Sequence, residues 1–256
     1  MKVSLLASGS KGNCCFVETK SNSFLIDAGM TCAYIDKELN TIGKTGKDID
    51  AVFITHTHAD HINGLKVFVK KYNPIIYVSE KMYQELRNIV WSDNYVIIDK
   101  ELIIDDLKIT AIKTSHDADD SIGYIFEEDG HSLVYITDTG YINAKNHQKL
   151  SNKNMYILES NHDIDMLMNN PKYPYHLKQR ILGDKGHLSN KDCSYYLSKF
   201  ISENTKCIIL AHLSEHNNTP SLALEELKKT LQTNNKKCDN IIVAEQKERT
   251  ELVEVW

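Results

Sequence analysis

The stretch Thr55-His56-Thr57-His58-Ala59-Asp60-His61 is the most informative part of the chain, and it directly follows the apolar run 51–54. Three imidazoles and a carboxylate therefore stand close together at the predicted end of a buried strand. This density of ligand-type side chains predicts a metal site, because unpaired polar groups are costly beside a core. A polar surface loop is the alternative interpretation of the same residues.

The spacing within this stretch favours two metal ions rather than one. Two histidines can point at one ion, while the Asp60-His61 pair points at a second ion about 3.5–4 Å away, the separation typical of two-metal hydrolases. Zinc, manganese and iron all suit mixed imidazole and carboxylate donors, so the sequence does not choose among these divalent ions.

Further ligand-type residues follow later predicted strands. They are His116, Asp138 and His212. Side chains at strand ends on one rim of a scaffold commonly assemble a site, and a buried carboxylate such as Asp138 can bridge two cations. Each of these residues taken alone is also explained as a cap or turn residue.

Length and composition are those of an ordinary globular protein. With 256 residues and 41% hydrophobic content, the chain is expected to form one domain over residues 1–256. Its net charge of −5 provides no general attraction to nucleic acid, so binding of a polyanion requires a local basic cluster or bound cations. Whether the chain associates with copies of itself is left open.

The spacing of the cysteines and the hydrophobicity of the first residues predict the cellular compartment. Six cysteines without C-x-x-C spacing indicate a reducing compartment and no zinc ribbon. The apolar stretch at residues 3–7 is too short for a signal sequence, and no apolar run reaches 18 residues. We therefore expect a cytoplasmic protein with no membrane partner.

Hydrophobic periodicity predicts strands and helices in alternating groups. Antiparallel strands are expected at 2–7, 14–18 and 23–27, a meander over 95–136, and later strands at 155–159, 207–211 and 240–243. Helices are expected near 163–169, 174–182, 189–203 and 220–232. This order predicts an α/β fold in which two mixed sheets pack back to back with helices outside, a four-layer αβ/βα sandwich.

Several motifs make the chain resemble the metallo-β-lactamase-fold hydrolases over nearly its whole length. Within that superfamily it is similar to the YycJ/WalJ group, with PhnP-type and ribonuclease Z-type phosphodiesterases more distant. The motifs lie at 8–14, 27–29, 55–61, 115–117, 137–140, 159–163, 186–190 and 211–217. The resemblance implies a dinuclear site at one rim of the sandwich. It implies one ion held by His56, His58 and His116, another held by Asp60, His61 and His212, and Asp138 as the bridge.

Asp60 and His187 are the predicted catalytic side chains. A water shared by two divalent ions has a lowered pKa, so a metal-bound hydroxide is the expected nucleophile. His187 stands between a glycine and a predicted helix start, and it matches a histidine of the phosphodiesterase branches that assists the leaving group. A histidine bonded to a backbone carbonyl at a helix start is the alternative.

Other residues are predicted to bind substrate or to support the ligands. Arg180 is one of three arginines and is either a phosphate clamp or part of a solvated helix face. Ser10 and Asn13 lie in a glycine-flanked loop suited to phosphate, and His162 is a further candidate for substrate contact. Asp27 and Glu159 are expected to orient ligand imidazoles.

Segment 163–187 is predicted to cover the site as a lid, and its tyrosines are candidates for stacking on bases or for core packing. The favoured function is a dinuclear metal-dependent phosphodiester hydrolase acting on nucleic acid or a nucleotide-like diester, and the YycJ/WalJ resemblance implies a DNA exonuclease-like activity. One alternative is a thioesterase or lactonase of glyoxalase II type. Another is a non-catalytic metal-binding regulatory partner in cell-wall signalling, although a complete ligand set argues against a pure binding role.

Overall fold

The structure, a computed structural model, describes residues 1–255. Within these residues the strands are β1 Lys2–Ala7, β2 Cys14–Glu18, β3 Ser23–Ile26, β4 Ala51–Phe53, β5 Ile75–Val78, β6 Tyr95–Ile97, β7 Glu101–Ile104, β8 Leu107–Lys113, β9 Ile122–Glu128, β10 His131–Ile136, β11 Met155–Glu159, β12 Cys207–Ala211, β13 Ile241–Val243 and β14 Val253–Glu254. The α-helices are α1 Cys32–Thr41, α2 Ala59–Ile62, α3 Leu65–Tyr72, α4 Glu80–Leu86, α5 His147–Leu150, α6 Ile164–Asn169, α7 Tyr175–Leu182, α8 Asn190–Phe200 and α9 Pro220–Thr233.

The strands form two seven-stranded sheets with the same internal plan. The first has the order β14-β1-β2-β3-β4-β5-β6, and the second has the order β13-β12-β11-β10-β9-β8-β7. Each sheet combines an antiparallel part with a parallel part, which comprises β3 to β6 in the first sheet and β10 to β13 in the second. The predicted fold class, two mixed sheets flanked by helices, is confirmed.

Aromatic side chains join the two sheets. Phe24 and Phe53 of the first sheet pack against Phe126 of the second, with ring centroids 4.8 and 5.4 Å apart. On the outer face of the second sheet, Leu197 of α8 and Leu227 of α9 belong to a separate buried cluster. The two sheets thus share one hydrophobic core between them. That residues 1–256 form a single domain stays a prediction.

Helix boundaries follow side-chain capping. Ser79 accepts a hydrogen bond from Met82 N–H at the start of α4, as its position in the sequence predicts, and Ser189 caps α8 in the same way. Thr219 caps α9, where Pro220 occupies the first helical position.

Two parts of the secondary structure differ from the sequence prediction. The meander contains only β7 to β10, because β6 pairs parallel with β5 at the edge of the first sheet. The short strand β14 near the end of the chain was not predicted; it pairs antiparallel with β1. Among residues 1–255, none of the helices has the length and apolar character needed to cross a membrane.

Strand direction brings the candidate residues to one edge of the sandwich. Because the strands β3 to β6 run parallel, the segments that follow them emerge on the same side. Asp27 follows β3 and the histidine-rich stretch follows β4. In the second sheet, Glu159 ends β11 and His212 follows β12.

Candidate metal centre

All seven predicted ligand side chains converge at this edge. Their donor atoms fall into overlapping groups whose members lie within 4.8 Å of one another. Three of these groups contain only predicted ligands: His56, His58 and His116; His56, His61 and Asp138; and Asp60, His61 and His212. A fourth group adds Glu159 and His187 to Asp138 and His212.

Two histidines are fixed by buried carboxylates behind them. His61 Nδ1–H donates to Asp27 Oδ2 at 2.8 Å, and His212 Nδ1–H donates to Glu159 Oε1 at 2.9 Å. Asp27 in turn accepts hydrogen bonds from Thr55 N–H and Oγ1–H. Binding Nδ1 in this way leaves Nε2 of each ring for a metal, which is the usual arrangement behind ligand histidines. The geometry thus gives Asp27 and Glu159 the supporting positions expected from the sequence.

The other two buried histidines among the predicted ligands, His116 and His56, are oriented by uncharged groups. His116 Nδ1–H donates to the Gly186 carbonyl oxygen at 3.2 Å, and His56 Nδ1 lies 3.1 Å from Thr55 Oγ1. His116 Nε2 faces His58 Nδ1 across 3.3 Å. These two nitrogens are at hydrogen-bond distance from each other, and His56, His58 and His116 are also close enough together to hold one cation.

Asp138 lies between the two sets of donors. Its Oδ2 is 3.1 Å from His61 Nε2, and its Oδ1 is 3.9 Å from His116 Nε2 and 3.5 Å from His212 Nδ1. The side chain is almost fully buried. A carboxylate within reach of both sets has the position that the bridging assignment requires.

The donor atoms fit divalent cations because several of them lack any other partner. Within residues 1–255, His56 Nε2, His212 Nε2 and Asp138 Oδ2 are buried and make no hydrogen bond. The 3.1 Å approach of Asp138 Oδ2 to His61 Nε2 is therefore a close ionic contact without hydrogen-bond alignment. Buried polar atoms are rarely left unpaired, and imidazole and carboxylate donors aimed at one space are a metal-binding set.

Electrostatics within the cluster show how strongly its charges interact. Burial alone would lower the pKa of His61, but the carboxylates of Asp27 and Asp138 raise it to about 10. His212 behaves in the same way beside Asp138, Asp60 and Glu159, and its pKa is also raised. Burial would raise the pKa of Asp138, yet the neighbouring histidines hold it well below its ordinary value. In the absence of metal, the ionised Asp138 carboxylate and the protonated His61 and His212 rings therefore stabilise one another, and a bound ion takes the place of the histidine protons.

A cavity of about 270 Å³ opens beside these donors. Five of the seven predicted ligands contribute to its walls: His58, Asp60, His116, Asp138 and His212. The opposite wall comes largely from the segment that contains α7, with Tyr173, Arg180 and Lys185. Within α7, Leu177, Arg180 and Ile181 line the cavity and none of the helix residues is buried, while the role of this segment as a lid stays a prediction.

His187 also lines the cavity, and Glu159 holds it in place. His187 Nδ1–H donates to Glu159 Oε1 at 2.7 Å, while Glu159 Oε2 accepts hydrogen bonds from the backbone N–H groups of Thr139 and Leu188. Burial would lower the pKa of His187, but the Glu159 carboxylate raises it above its ordinary value. One carboxylate therefore orients both His212 and His187, and leaves Nε2 of His187 for a bound molecule.

The predicted substrate-binding residues have different positions. Ser10 and Arg180 line the cavity, and Arg180 forms an ion pair with Asp117 at its mouth. Asn13 does not line it: the side chain is buried, and its amide lies 3.0 Å from His61 Nε2 and bonds to the Gly9 carbonyl oxygen. The Asn13 amide thus lies beside the metal-facing nitrogen of His61 and close to Asp60 Oδ2, at the donor cluster and not in the cavity wall.

His162 also differs from its predicted position. Its ring is buried away from the cavity, with both nitrogens unpaired within residues 1–255, and burial lowers its pKa to about 4. Of the two lid tyrosines, Tyr173 lines the cavity, whereas Tyr175 is exposed and does not line it.

Some residues at the site received no role from sequence reasoning. Asp117 stands next to His116 in the motif at 115–117, and its Oδ1 lies 3.3 Å from His116 Nε2 and 3.9 Å from His58 Nε2. Ser8 Oγ accepts a hydrogen bond from His212 N–H. The position of Asp117 next to the predicted ligand His116 is a sequence signal for a role at the site. Ser8 offers no such signal, because most of the chain separates it from His212.

Comparisons with known proteins agree with this geometry. A family model described as a beta-lactamase superfamily domain matches residues 22–205. The exodeoxyribonuclease WalJ of Streptococcus pneumoniae is 38% identical over 87% of this chain and 85% of its own length. The exodeoxyribonuclease YycJ of Bacillus anthracis is 33% identical over 90% of this chain and 88% of its own. The crystal structure of the metallo-β-lactamase fold protein YhfI from Bacillus subtilis superimposes with a TM-score of 0.72 at 17% identity, covering 97% of this chain and 98% of the other.

The two-sheet sandwich and its convergent histidine and aspartate donors define the class of protein as a metal-dependent hydrolase of the metallo-β-lactamase fold. The chain belongs to the beta-lactamase superfamily and, within it, to the family of the WalJ and YycJ proteins. It is therefore an enzyme, and the non-catalytic alternative is set aside.

Proposed function

We propose that the protein is an exodeoxyribonuclease, a dinuclear metal-dependent phosphodiesterase that hydrolyses DNA from an end. The observation that carries this proposal is the pair His187 and Glu159, which stands at the cavity beside the metal donors. An alkoxide is a poor leaving group, so phosphodiester cleavage benefits from a positioned acid. The WalJ and YycJ relatives reported above match over most of their length and are named exodeoxyribonucleases, which supports the same substrate class.

Two divalent ions, zinc, manganese or iron, would be held by the residue sets described above. His56, His58 and His116 would hold one, Asp60, His61 and His212 the other, and Asp138 both. When bound, such ions polarise a phosphoryl oxygen and lower the pKa of a coordinated water. These ligand assignments are supported by the unpaired nitrogens of His56 and His212.

The remaining work falls to side chains around the cavity. His187, whose pKa is raised beside Glu159, holds a proton that it can give to the departing 3′ or 5′ oxygen. Arg180 and Lys185 provide positive charge at the cavity wall for a phosphate. Tyr173 offers an aromatic face on the same wall, suited to stacking on a base.

A thioesterase of glyoxalase II type is the competing enzyme class. Its reaction expels a thiolate, which is a good leaving group and needs no acid in the position of His187. Arg180 and Lys185 also place positive charge where the reacting phosphate of a diester is anionic, whereas the reacting thioester group is uncharged. The cavity therefore favours phosphodiester substrates.

The test compares His187→Ala with His176→Ala, which changes an exposed histidine that does not line the cavity. Each manganese-loaded protein is assayed on end-labelled DNA, on bis(4-nitrophenyl) phosphate and on a glutathione thioester. We expect His187→Ala to retain its metal and to lose about 10²–10⁴-fold in kcat on DNA, the range for a positioned proton donor. The kcat on bis(4-nitrophenyl) phosphate should fall less, because its 4-nitrophenolate leaving group needs little protonation.

The His176→Ala protein should match the unchanged protein on every substrate. Fast thioester turnover with no cleavage of either diester would contradict the proposed function. Undiminished DNA cleavage by His187→Ala would instead remove the proton-donor role of that residue.

A further inference from the structure

A second groove, lined by lysines, lies next to the cavity. It has a volume of about 680 Å³ and is distinct from the cavity in its lining residues. Five lysines from four parts of the chain line it: Lys81, Lys100, Lys113, Lys145 and Lys149. All five are exposed. The proposed chemistry at the metal centre uses none of them.

The topology places this groove on the same edge of the sandwich as the metal centre. Strands β4, β5 and β6 run parallel, so the segments after them emerge side by side. The segment after β4 carries the histidine-rich stretch, the segment after β5 carries Lys81, and the segment after β6 carries Lys100. The Thr57 hydroxyl donates to Glu85 of α4, which fixes the helix that carries Lys81 against the histidine-rich stretch.

The loop between β8 and β9 separates the groove from the cavity. Lys113 and Ile122 at the two ends of this loop line the groove, while His116 and Asp117 in its middle line the cavity. Three residues of chain span at most about 10 Å, so Lys113 is within roughly three stacked nucleotides of the metal ligand His116. A strand leaving the cavity over this loop enters the groove directly.

The charge of the groove is opposite to that of the whole protein. Five lysines face three acidic side chains, Glu80, Asp99 and Asp120, in a chain whose net charge is −5. Within residues 1–255, Lys113 is the one groove lysine that forms an ion pair with a carboxylate, that of Asp120. The other four ammonium groups are available to an anion from solution.

The groove also offers apolar surface between its lysines. Ile97, Ile98, Ala111 and Ile122 contribute to its lining, and Ile97 is 40% exposed. Lysines around an apolar floor suit a nucleic-acid strand, whose phosphates and bases need both kinds of contact. A small anion such as free phosphate would contact only the lysines.

We propose that this lysine groove binds the backbone of the DNA strand several nucleotides away from the bond being cut. The inference rests on the proposed nuclease function and extends it by assigning a path for the strand. Phosphate contacts in the groove hold long substrates in register at the cavity, while short diesters reach only the cavity. A negatively charged protein can in this way bind a polyanion through a local cluster.

The test reverses charge in the groove and, separately, elsewhere. The groove variant combines Lys100→Glu, Lys145→Glu and Lys149→Glu. The matched control combines Lys47→Glu, Lys206→Glu and Lys229→Glu, three exposed lysines that line neither the groove nor the cavity. Both variants have the same net charge, so a difference between them reports position. A neutral Lys→Gln version of the groove variant guards against effects of the added carboxylates.

Two measurements are made on each protein, the first with calcium and the second with manganese. The first is the Kd of a fluorescein-labelled 20-nucleotide oligothymidylate as a function of salt concentration, with calcium replacing manganese to prevent cleavage. The second is kcat/KM on that oligonucleotide and on bis(4-nitrophenyl) phosphate. We expect the groove variant to bind the oligonucleotide at least about tenfold more weakly at low salt. Its salt slope should be smaller by roughly 0.7 for each phosphate that the altered groove no longer neutralises.

The expected activity pattern separates the groove from the cavity. The groove variant should lose about tenfold in kcat/KM on the oligonucleotide and less than about twofold on the small diester, and the control should change neither by more than twofold. Equal affinity of the groove variant and the control for the oligonucleotide would overturn the inference. Binding of the oligonucleotide by the unchanged protein that is too weak to measure would also overturn it, and would point to an acidic protein as the partner of the groove. Failure of the unchanged protein to cleave either diester would instead count against the proposed function.

Discussion

At the residue scale, several side chains of the site depend on an unusual backbone conformation. Asp27, Asp138 and His212 have positive φ angles of 62°, 53° and 56°. Each stands just after a strand, where a left-handed residue turns the chain sharply. Such a conformation costs roughly 1–2 kcal/mol for a residue other than glycine. This local strain is concentrated where the chain must direct donors at a common point.

Asp27 is predicted to tune the affinity for metal without touching it. Replacing its carboxylate in Asp27→Asn removes the charged acceptor of His61 Nδ1–H and leaves the two Thr55 donors with a single oxygen. We expect the affinity for the ion at Asp60, His61 and His212 to fall about 10–100-fold, as is usual for such supporting carboxylates. Competition with a chromophoric chelator measures the change.

Asp50→Asn is the control for this substitution. Asp50 accepts a hydrogen bond from Ser23 N–H and contacts no site residue. It should retain full metal affinity. An Asp27→Asn protein that is folded by circular dichroism and binds both ions as tightly as Asp50→Asn would show that Asp27 does not orient His61.

The roles of single residues were predictable where a sequence motif identifies the donor side chain. They were less predictable where tertiary packing determines which way the side chain faces. Donors such as His56 and His58 follow a strand within one short stretch, so their convergence can be predicted from local spacing. Asn13 and His162 carry polar side chains in equally suggestive contexts, but both are buried away from the cavity. Which way such a side chain faces depends on contacts with distant segments, and these leave no pattern in the sequence.

At the scale of elements, the loop after β3 packs so closely on the histidine-rich stretch that only glycine fits. A Cβ atom on Gly29 would lie 1.7 Å from the Asp60 carbonyl oxygen and 2.7 Å from Asn13 N. We therefore expect Gly29→Ala to displace the backbone of Asp60, to lower stability by about 1–3 kcal/mol or more, and to weaken metal binding. Thermal melts and metal titrations on the same samples measure both effects.

Gly43→Ala provides the comparison. A Cβ there meets nothing within 4 Å, and its φ of 73° adds only the cost of a left-handed alanine, roughly 1–2 kcal/mol. Its metal affinity should be unchanged. If Gly29→Ala also kept full affinity, the close approach between the two loops would not position Asp60.

The order of elements was largely predictable because the apolar runs are bounded by turn residues. The edge strands were harder. β6 is short and only partly buried, so its pattern does not say which sheet it joins. β14 has two residues, and it is held by pairing with β1 from the opposite end of the chain. Both depend on partners far away in sequence rather than on local periodicity.

At the scale of the whole molecule, bound metal should stabilise the fold. The donors come from both sheets, with Asp60 after β4 and His212 after β12, so ions bound between them link the two halves. Ligand at 100 times its Kd adds about 2.7 kcal/mol to the free energy of unfolding. For a chain of this size we expect Tm to rise by roughly 5–10 °C.

Differential scanning calorimetry after chelation and after return of manganese measures this shift. Magnesium, which prefers oxygen ligands, serves as the control and should restore much less of the Tm. A Tm that does not change between the chelated and manganese-loaded protein would mean that the donors do not bind the ion in the folded state.

Anomalous X-ray scattering from crystals grown with manganese or zinc shows whether two divalent ions lie between these donors. The two-ion arrangement predicts two anomalous peaks about 3.5–4 Å apart. One should be next to His56, His58 and His116, the other next to Asp60, His61 and His212, with Asp138 in contact with both. A peak at only one of these positions, or no peak there in crystals soaked with excess metal, would contradict it.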